Sequence, residues 1–214
     1  MTRRTGSAAP YIPPHPTLEA IREAVDGCRG CDLYKLATQG VAGEGPRRAR
    51  LMLVGEQPGH EEDLAGRPFV GPAGQVLDRA LAEAGLERRE AYVTNVVKHF
   101  KFTLRGKRRI HEKPGATEVE ACRPWFQTEL DLVQPDVVVA LGATAAQAIL
   151  GPAFRITRDR GRFVPSPLTP RVLATAHPSA VLRMPDEAAR HEAMRQLVRD
   201  LGVVAKALRE KAAR

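Results

Sequence analysis

Short runs of consecutive apolar residues alternate with amphipathic segments along this chain of 214 residues, and that alternation constrains the fold more than any other feature. Uninterrupted apolar runs are typical of strands buried on both faces, whereas strands with one wet face alternate apolar and polar residues. We therefore predict an α/β fold, with a parallel central sheet of about four strands sandwiched between helices. The predicted strands are 50–55, 91–97, 136–141 and 171–176.

Helical periodicity connects these strands. Apolar residues recur at helical spacing in three short segments and in one long final segment that begins at Asp186. The three short predicted helices are 17–26, 73–84 and 143–150. Thr117 and Glu120 have the spacing of a capping box, which predicts a further helix from there. Pro124 is expected to kink or restart that helix.

Two segments lack such periodicity. Residues 98–115 are polar and basic, and they predict a loop too long for an ordinary tight connection. Residues 1–16 are rich in proline and small residues and predict a disordered tail, which leaves 17–214 as a single domain.

Composition excludes several classes of protein. No apolar run approaches about 18 residues, so we predict no transmembrane helix. The N-terminus lacks an apolar core of the kind that signal peptides carry, and the chain has three cysteines, an odd number, so we expect a cytoplasmic protein with reduced thiols. The net charge of +8 favours a polyanionic partner, although a merely solvated basic surface explains it equally well.

Polar residues collect where the predicted strands end. The sequence GEQPG follows the first strand, Asn95 lies in the second, and HPSAVLR (177–183) follows the fourth. Ligands of parallel sheets bind beyond the carboxyl ends of the strands, so a site is expected at this edge.

The cysteines suggest a second centre. Cys28 and Cys31 have a spacing that lets two thiolates hold one metal ion or cluster. Cys122 is the third available sulfur, and His99 is the candidate fourth ligand, because His replaces Cys in some iron–sulfur centres. A redox pair, or two unrelated thiols, remains an open alternative.

Four motifs in order resemble the uracil-DNA glycosylase superfamily, and in particular its iron–sulfur, family-four-like branch. They are GEQPG (55–59), GRPFVGPAG (66–74), TNVVKHFKF (94–102) and HPSAVLR (177–183). The resemblance covers residues 20–205 and implies a 4Fe–4S cluster held by Cys28, Cys31, His99 and Cys122.

Within that branch the chain resembles the UdgX type. Three features carry this likeness: Gln57, His99 at the third ligand position, and the string KRRIH from Lys107 to His111. UdgX-type proteins form a covalent bond between the histidine of that string and a DNA sugar, so the resemblance implies DNA repair or uracil-DNA binding by a protein that reacts once.

The resemblance also implies roles for residues at the strand ends. His177 would stabilise the departing uracil anion, Asn95 would read the edge of the base, and Phe69 would stack on it. Backbone at Gly55 and Gln57 would allow close approach of the substrate. His111 would attack the sugar, and Glu56 would orient it or take its proton.

DNA contacts follow from charge. Six Lys or Arg residues lie between Lys101 and Lys113, against one Glu. Phosphate contacts are expected from Lys107, Arg108 and Arg109, a further DNA contact from Ser179, and Arg183 as the residue wedged into the duplex. The expected partner is single-stranded uracil-containing DNA, with double-stranded DNA left open, and the protein is expected to be a monomer.

Other readings stay open from sequence alone. Phe69 is also compatible with core packing, Asn95 with a turn cap, His177 with a loop-shaping role and His111 with a solvated side chain. The chain could be a turnover glycosylase that uses water, or a binding module that never frees uracil. A generic nucleotide-binding domain is disfavoured, because GxGxxG and a P-loop lysine signature are absent from the sequence.

Overall fold

The apolar runs form strands of one central sheet in the computed structural model, which describes residues 6–166, 168 and 171–212. The strands are β1 (Leu51–Gly55), β2 (Ala91–Asn95), β3 (Phe102–Arg105), β4 (Arg108–His111), β5 (Val137–Leu141), β6 (Phe163–Val164) and β7 (Val172–Thr175). The sheet has the order β2-β1-β5-β7-β6, and its first four strands are parallel. The predicted parallel sheet is therefore confirmed. A fifth strand, β6, runs antiparallel at one edge and is too short for periodicity to reveal.

Helices cover both faces of the sheet. They are α1 (Leu18–Asp26), α2 (His60–Ala65), α3 (Pro72–Glu83), α4 (Ala116–Val133), α5 (Ala143–Leu150), α6 (Ile156–Asp159), α7 (Ser179–Leu182) and α8 (Glu187–Ala212). Alternate side chains of β1 enter different cores: Met52 and Val54 pack with α1, α4 and α5, whereas Leu51 and Leu53 pack with α3 and α8. Burial on both sides explains why the strands are apolar throughout.

The long basic segment contains a hairpin. Strands β3 and β4 pair antiparallel, with Phe102 opposite His111 and Arg105 opposite Arg108. Gly106 at their turn has φ +60°, a conformation that glycine adopts without strain. The predicted long connection is therefore partly a hairpin and not a loop throughout. Exposed basic residues interrupt the apolar pattern of the two strands, so the short turn that contains glycine is the main local indication of the hairpin.

The N-terminal segment is ordered from residue 6 onward, so the predicted disordered tail is wrong for residues 6–16. Ala8 is buried, and its N–H donates to the carbonyl of Ala121 at 2.7 Å. Tyr11 and Ile12 pack against the same core. Sequence composition misses this because the burial depends on contacts with a helix more than 100 residues away. Residues 1–5 of the predicted tail lie outside the described residues.

Helix α4 begins earlier than predicted. Its N-cap is Gly115, whose N–H donates to Glu118 Oε2 at 2.6 Å, so the pairing of Thr117 with Glu120 as a capping box is wrong. Pro124 lies inside the helix without ending it. No helix in the described ranges is long and apolar enough to cross a membrane.

Candidate active site

A cavity of about 440 Å³ opens at the carboxyl edge of the sheet, where the sequence predicts the site. Side chains from four strand ends and from the hairpin line it, among them Glu56, Phe69, Asn95, His111, Thr144 and His177. A larger cavity of about 590 Å³ lies at the opposite edge, near the starts of β1 and β2. We place the site in the first cavity because ligands of parallel sheets bind at the carboxyl ends of the strands.

The floor of the cavity is built for a flat polar ligand. Asn95 is buried at the end of β2, and its Oδ1 has no hydrogen-bond partner among the described residues. A buried amide without a partner is costly, which favours a ligand that supplies the missing donor. Gly55 lies alongside, and a Cβ there would come within 2.3 Å of Asn95 Oδ1 and 2.6 Å of the Phe69 ring. The close packing therefore requires glycine.

Phe69 forms one wall of the cavity in a strained backbone conformation. Its φ is +55°, which costs a non-glycine residue on the order of 1–2 kcal/mol. Arg88 holds the segment by donating to the carbonyls of Pro68 at 3.0 Å and Phe69 at 3.3 Å. The ring is stacked with His177, at 5.8 Å between centroids. Phe69 also belongs to a core cluster, so it both packs and shapes the cavity.

His177 is held neutral with a defined tautomer. The backbone N–H of Ser179 donates to His177 Nδ1 at 3.2 Å, so Nδ1 carries a lone pair and Nε2 carries the proton. Burial is the main reason that the pKa of His177 is lowered to about 4. The ring therefore offers a fixed N–H donor to a ligand at neutral pH.

Glu56 and His111 meet at the mouth of the cavity. His111 Nε2 lies 3.3 Å from Glu56 Oε1, and the imidazole is about half exposed, at 51%. Thr144 donates its hydroxyl to the other carboxylate oxygen of Glu56. Burial alone would raise the pKa of Glu56, but hydrogen bonds from His111 and Thr144 outweigh it and lower the pKa. Glu56 is therefore an ionised acceptor next to His111.

Two residues of this arrangement were not predicted. Thr144 fixes the carboxylate of Glu56 although the two lie 88 positions apart. Glu62 joins two loops of the cavity, because its carboxylate accepts from the N–H groups of Gly59 at 3.0 Å and Gly71 at 2.8 Å. Thr144 is one hydroxyl in a mostly apolar helix, and Glu62 is one of three adjacent acidic residues in α2, so no local pattern distinguishes either.

Gln57 serves the hairpin in this structure. Its Nε2 donates to the carbonyls of Lys101 and Glu112, each at 3.1 Å, and its Oε1 accepts from the N–H of Lys101 at 3.2 Å. Both ends of the side-chain amide are thus engaged at the base of the hairpin. Gln57 nevertheless lines the cavity, and the predicted close approach of the substrate to its backbone stays a prediction.

Arg109 is turned inward and not toward solvent. Its guanidinium donates to the buried Asp63 at 2.6 Å and to Thr38 at 3.2 Å, and it contacts His60. Its side chain is only 14% exposed. In this structure the guanidinium is therefore committed within the protein, and the phosphate contact predicted for Arg109 stays a prediction.

The remaining predicted DNA contacts lie at two places, the hairpin turn and the lining of the cavity. Lys107 and Arg108 are exposed at the hairpin turn. Arg183 is exposed and lines the cavity, and it donates to the hydroxyl of Ser179 at 2.9 Å. Ser179 thus joins Arg183 to the ring of His177. The roles of these four residues toward DNA stay predictions.

The predicted metal ligands lie in another part of the structure, where α4 contributes Cys122. Cys28, Cys31 and Cys122 are free thiols of one core cluster, and burial raises the pKa of Cys122 to about 12. Backbone N–H groups of Gly30 and Lys98 donate to Cys28 Sγ at 3.5 Å and Cys122 Sγ at 3.2 Å.

These features test whether the residues fit a cluster. N–H groups directed at sulfur suit thiolates, and a cation would offset both the burial and the mutual repulsion that raise the thiol pKa values. Burial likewise lowers the pKa of His99 to about 4, which keeps that imidazole neutral as a ligand must be. The donor set therefore suits iron or zinc. As they stand, the described side chains nevertheless include no group of three or more that is close enough to hold one metal ion.

Comparisons with known proteins show which family the chain resembles. Residues 42–202 match the Uracil DNA glycosylase superfamily. A Type-4 uracil-DNA glycosylase of Thermotoga maritima is 39% identical over 167 residues, which cover 78% of this chain and 83% of the relative. The Type-4 enzyme of Archaeoglobus fulgidus is 37% identical, covering 79% and 85%. A Type-5 uracil-DNA glycosylase of Pyrobaculum aerophilum is 33% identical, covering 63% of each.

The lowered pKa of His177 predicts a pH-dependent stability. Between pH 4 and about 6.5 the folded state binds fewer protons than the unfolded state, so the contribution of His177 to the free energy of unfolding is complete above pH 6.5 and is lost as the pH falls. We expect the free energy of unfolding, measured in urea at pH 7 and at pH 5, to fall by about 2 kcal/mol less in His177→Gln than in the wild type. Equal losses in both proteins would contradict a His177 that stays neutral in the folded state at pH 5.

Because Arg109 points inward and Arg108 is exposed, we expect their replacement by alanine to affect the hairpin differently. Arg109→Ala leaves the carboxylate of Asp63 buried without its partner, at a cost of about 3 kcal/mol. Hydrogen exchange of the amides in residues 102–111 should therefore become at least about tenfold faster. Arg108→Ala is the matched control, since its side chain is exposed, and should leave that exchange unchanged. Equal exchange in both variants would show that Arg109 does not hold the hairpin.

Proposed function

The chain belongs to the uracil-DNA glycosylase superfamily, and from this premise we propose that it excises uracil from DNA and then becomes covalently attached through His111 to the sugar. The observation that carries the second part is the contact of His111 Nε2 with Glu56 Oε1, 3.3 Å apart at the cavity mouth. This arrangement supports the UdgX-type reading of the sequence. A histidine held beside a carboxylate has the geometry of an activated nucleophile.

Excision breaks the bond between C1′ of the sugar and N1 of uracil, and the electron pair leaves with uracil. Negative charge then spreads onto the uracil oxygens. The Nε2–H of His177 donates to this anion, and because that donor is already oriented it needs no reorganisation during the reaction. The amide of Asn95 matches the donor and acceptor edge of uracil, and Phe69 provides a stacking surface.

Attachment follows from the positive charge left on the sugar. The Nε2 proton of His111 passes to Glu56, and the freed lone pair forms a bond to C1′. The product is an alkylated imidazole, a protonated Glu56 and a released uracil anion, so atoms and charge balance. Alkylated imidazole is a poor leaving group, so the protein reacts once. Thr144 and Gln57 act indirectly, since one fixes the carboxylate and the other fixes the hairpin.

Turnover by water is the second candidate. The printed names of the relatives, Type-4 and Type-5 uracil-DNA glycosylases, favour it, and so does the half-exposed position of His111. In that case Glu56 would activate water, and His111 would be a bystander. The substrate and the cavity are the same in both candidates, so only the fate of the sugar separates them.

Mixing the protein with a uracil-containing oligonucleotide, followed by boiling in detergent and a denaturing gel, tests the proposal. The wild type should give a protein–DNA band that His111→Ser abolishes, and that variant should leave alkali-labile sites instead. His191→Ser is the matched control because His191 is exposed on α8, away from the cavity. Alkali-labile sites without a band in the wild type would establish turnover. Binding with neither product would establish a non-catalytic module.

We also propose that Cys28, Cys31, His99 and Cys122 hold a 4Fe–4S cluster, which would crosslink three segments of the chain, α4 among them. The purified protein should then be brown and contain iron and acid-labile sulfide. Cys28→Ala should lose the visible absorbance and lower the melting temperature, because the ligands are buried and metal binding stabilises the fold. A colourless protein that contains zinc would contradict the cluster.

A further inference from the structure

A buried ion pair lies between the cysteine cluster and the cavity. Lys98 Nζ is 2.6 Å from Glu129 Oε2, and both side chains are fully buried. Charged residues are almost never fully buried without a specific reason, and buried pairs contribute little net stability compared with apolar residues of similar volume. The proposed chemistry uses neither residue. Their presence therefore calls for another explanation.

The ammonium group of Lys98 is directed at the strand that carries Asn95. Its three protons match three acceptors: Glu129 Oε2 at 2.6 Å, Thr94 Oγ1 at 2.7 Å and the backbone carbonyl of Asn95 at 2.8 Å. Thr94 in turn donates its hydroxyl to Glu129 Oε2 at 2.7 Å. The network is thus closed around the end of β2 and fixes the peptide group of Asn95.

Glu129 is itself anchored from another side. Its Oε1 accepts from the N–H of Gly43 at 2.8 Å, in the segment that bridges to β2 through Glu44 and Val93. Because Glu129 lies on α4, its carboxylate connects that helix to the edge of the sheet. The position of Lys98 is therefore determined by two separate elements of the fold.

The backbone of Lys98 extends the connection to the cysteine cluster. Its N–H donates to Cys122 Sγ at 3.2 Å, and its carbonyl accepts from the N–H of Val41 at 2.8 Å. A single residue thus contacts a candidate metal ligand through its main chain and Asn95 through its side chain. The buried Oδ1 of Asn95, without a partner among the residues described, lies at the far end of this connection.

We propose that Lys98 is a positioning residue that orients Asn95 for reading uracil, and that Glu129 holds Lys98 in place. The proposal rests on the function proposed above, because it concerns the same cavity. Displacement of a substrate-positioning group by about 1 Å can lower a rate by about 100-fold. Loss of the Lys98 contact leaves the peptide group between Asn95 and Val96 with only its hydrogen bond from Val96 N–H to the carbonyl of Gly55, so we expect the amide of Asn95 to meet the base in less well-defined orientations.

The double substitution Lys98→Met with Glu129→Gln tests this. It removes both charges, keeps the volume and retains an acceptor for Gly43, so the fold is expected to persist. With protein in excess over a uracil oligonucleotide, the variant should release uracil about 10- to 100-fold more slowly than the wild type. The control is Arg50→Met with Asp136→Asn. This ion pair lies at the amino ends of β1 and β5, away from the cavity, and its removal should leave the rate at the wild-type value.

The rate and the amplitude of uracil release distinguish positioning from stability. A purely structural pair would lower the fraction of active protein but leave the rate constant of that fraction unchanged. A rate constant within twofold of the wild type in the folded double variant would therefore overturn the proposal. If that variant does not fold, Lys98→Gln with Glu129→Gln applies the same criterion. A wild type that releases no uracil would instead refute the proposed function.

Discussion

The buried carboxylate of Asp63 holds the basic hairpin against the sheet domain, and the arrangement of the site depends on it. Both oxygens of Asp63 accept from the N–H of Thr38, at 3.0 and 3.1 Å, and one also accepts from Arg109 at 2.6 Å. A two-stranded hairpin is marginal in water by itself, so β3 and β4 need such anchors. Since His111 ends β4, this ion pair and the hydrogen bonds of Gln57 at the base of the hairpin together hold its imidazole near Glu56.

Two histidines at one cavity have different environments, and each environment suits a different proposed role. His177 is half-buried, and the desolvation of its ring together with the N–H of Ser179 keeps the ring neutral with a donor at Nε2. His111 is half exposed on a hairpin and faces an ionised carboxylate. A neutral donor suits stabilisation of a departing anion, and an imidazole beside a proton acceptor suits nucleophilic attack. Residue type alone does not make this distinction.

The sequence predicts the sheet and its polar edge because both follow from local burial. Strands such as β5 are apolar throughout, and Asn95 and His177 stand at or just beyond the ends of such runs. Side-chain contacts between residues far apart in the sequence cannot be predicted in this way. Gln57 and Arg109 carry the right chemistry to contact DNA, and only the structure shows that their polar atoms bind the hairpin and Asp63. Thr144 and Lys98 have no distinguishing local pattern, since their roles arise from contacts with Glu56 and Glu129.

Peptide mass spectrometry tests most directly whether His111 Nε2 forms the bond to C1′ of the DNA sugar. After reaction with a uracil oligonucleotide, the protein is digested with protease and nuclease, and the modified peptide is fragmented to locate the added mass. The account predicts a sugar-phosphate remnant on His111. Lys113 also lines the cavity and would instead trap an abasic aldehyde as a Schiff base. A remnant on Lys113, or free uracil with an unmodified His111 peptide, would contradict the account.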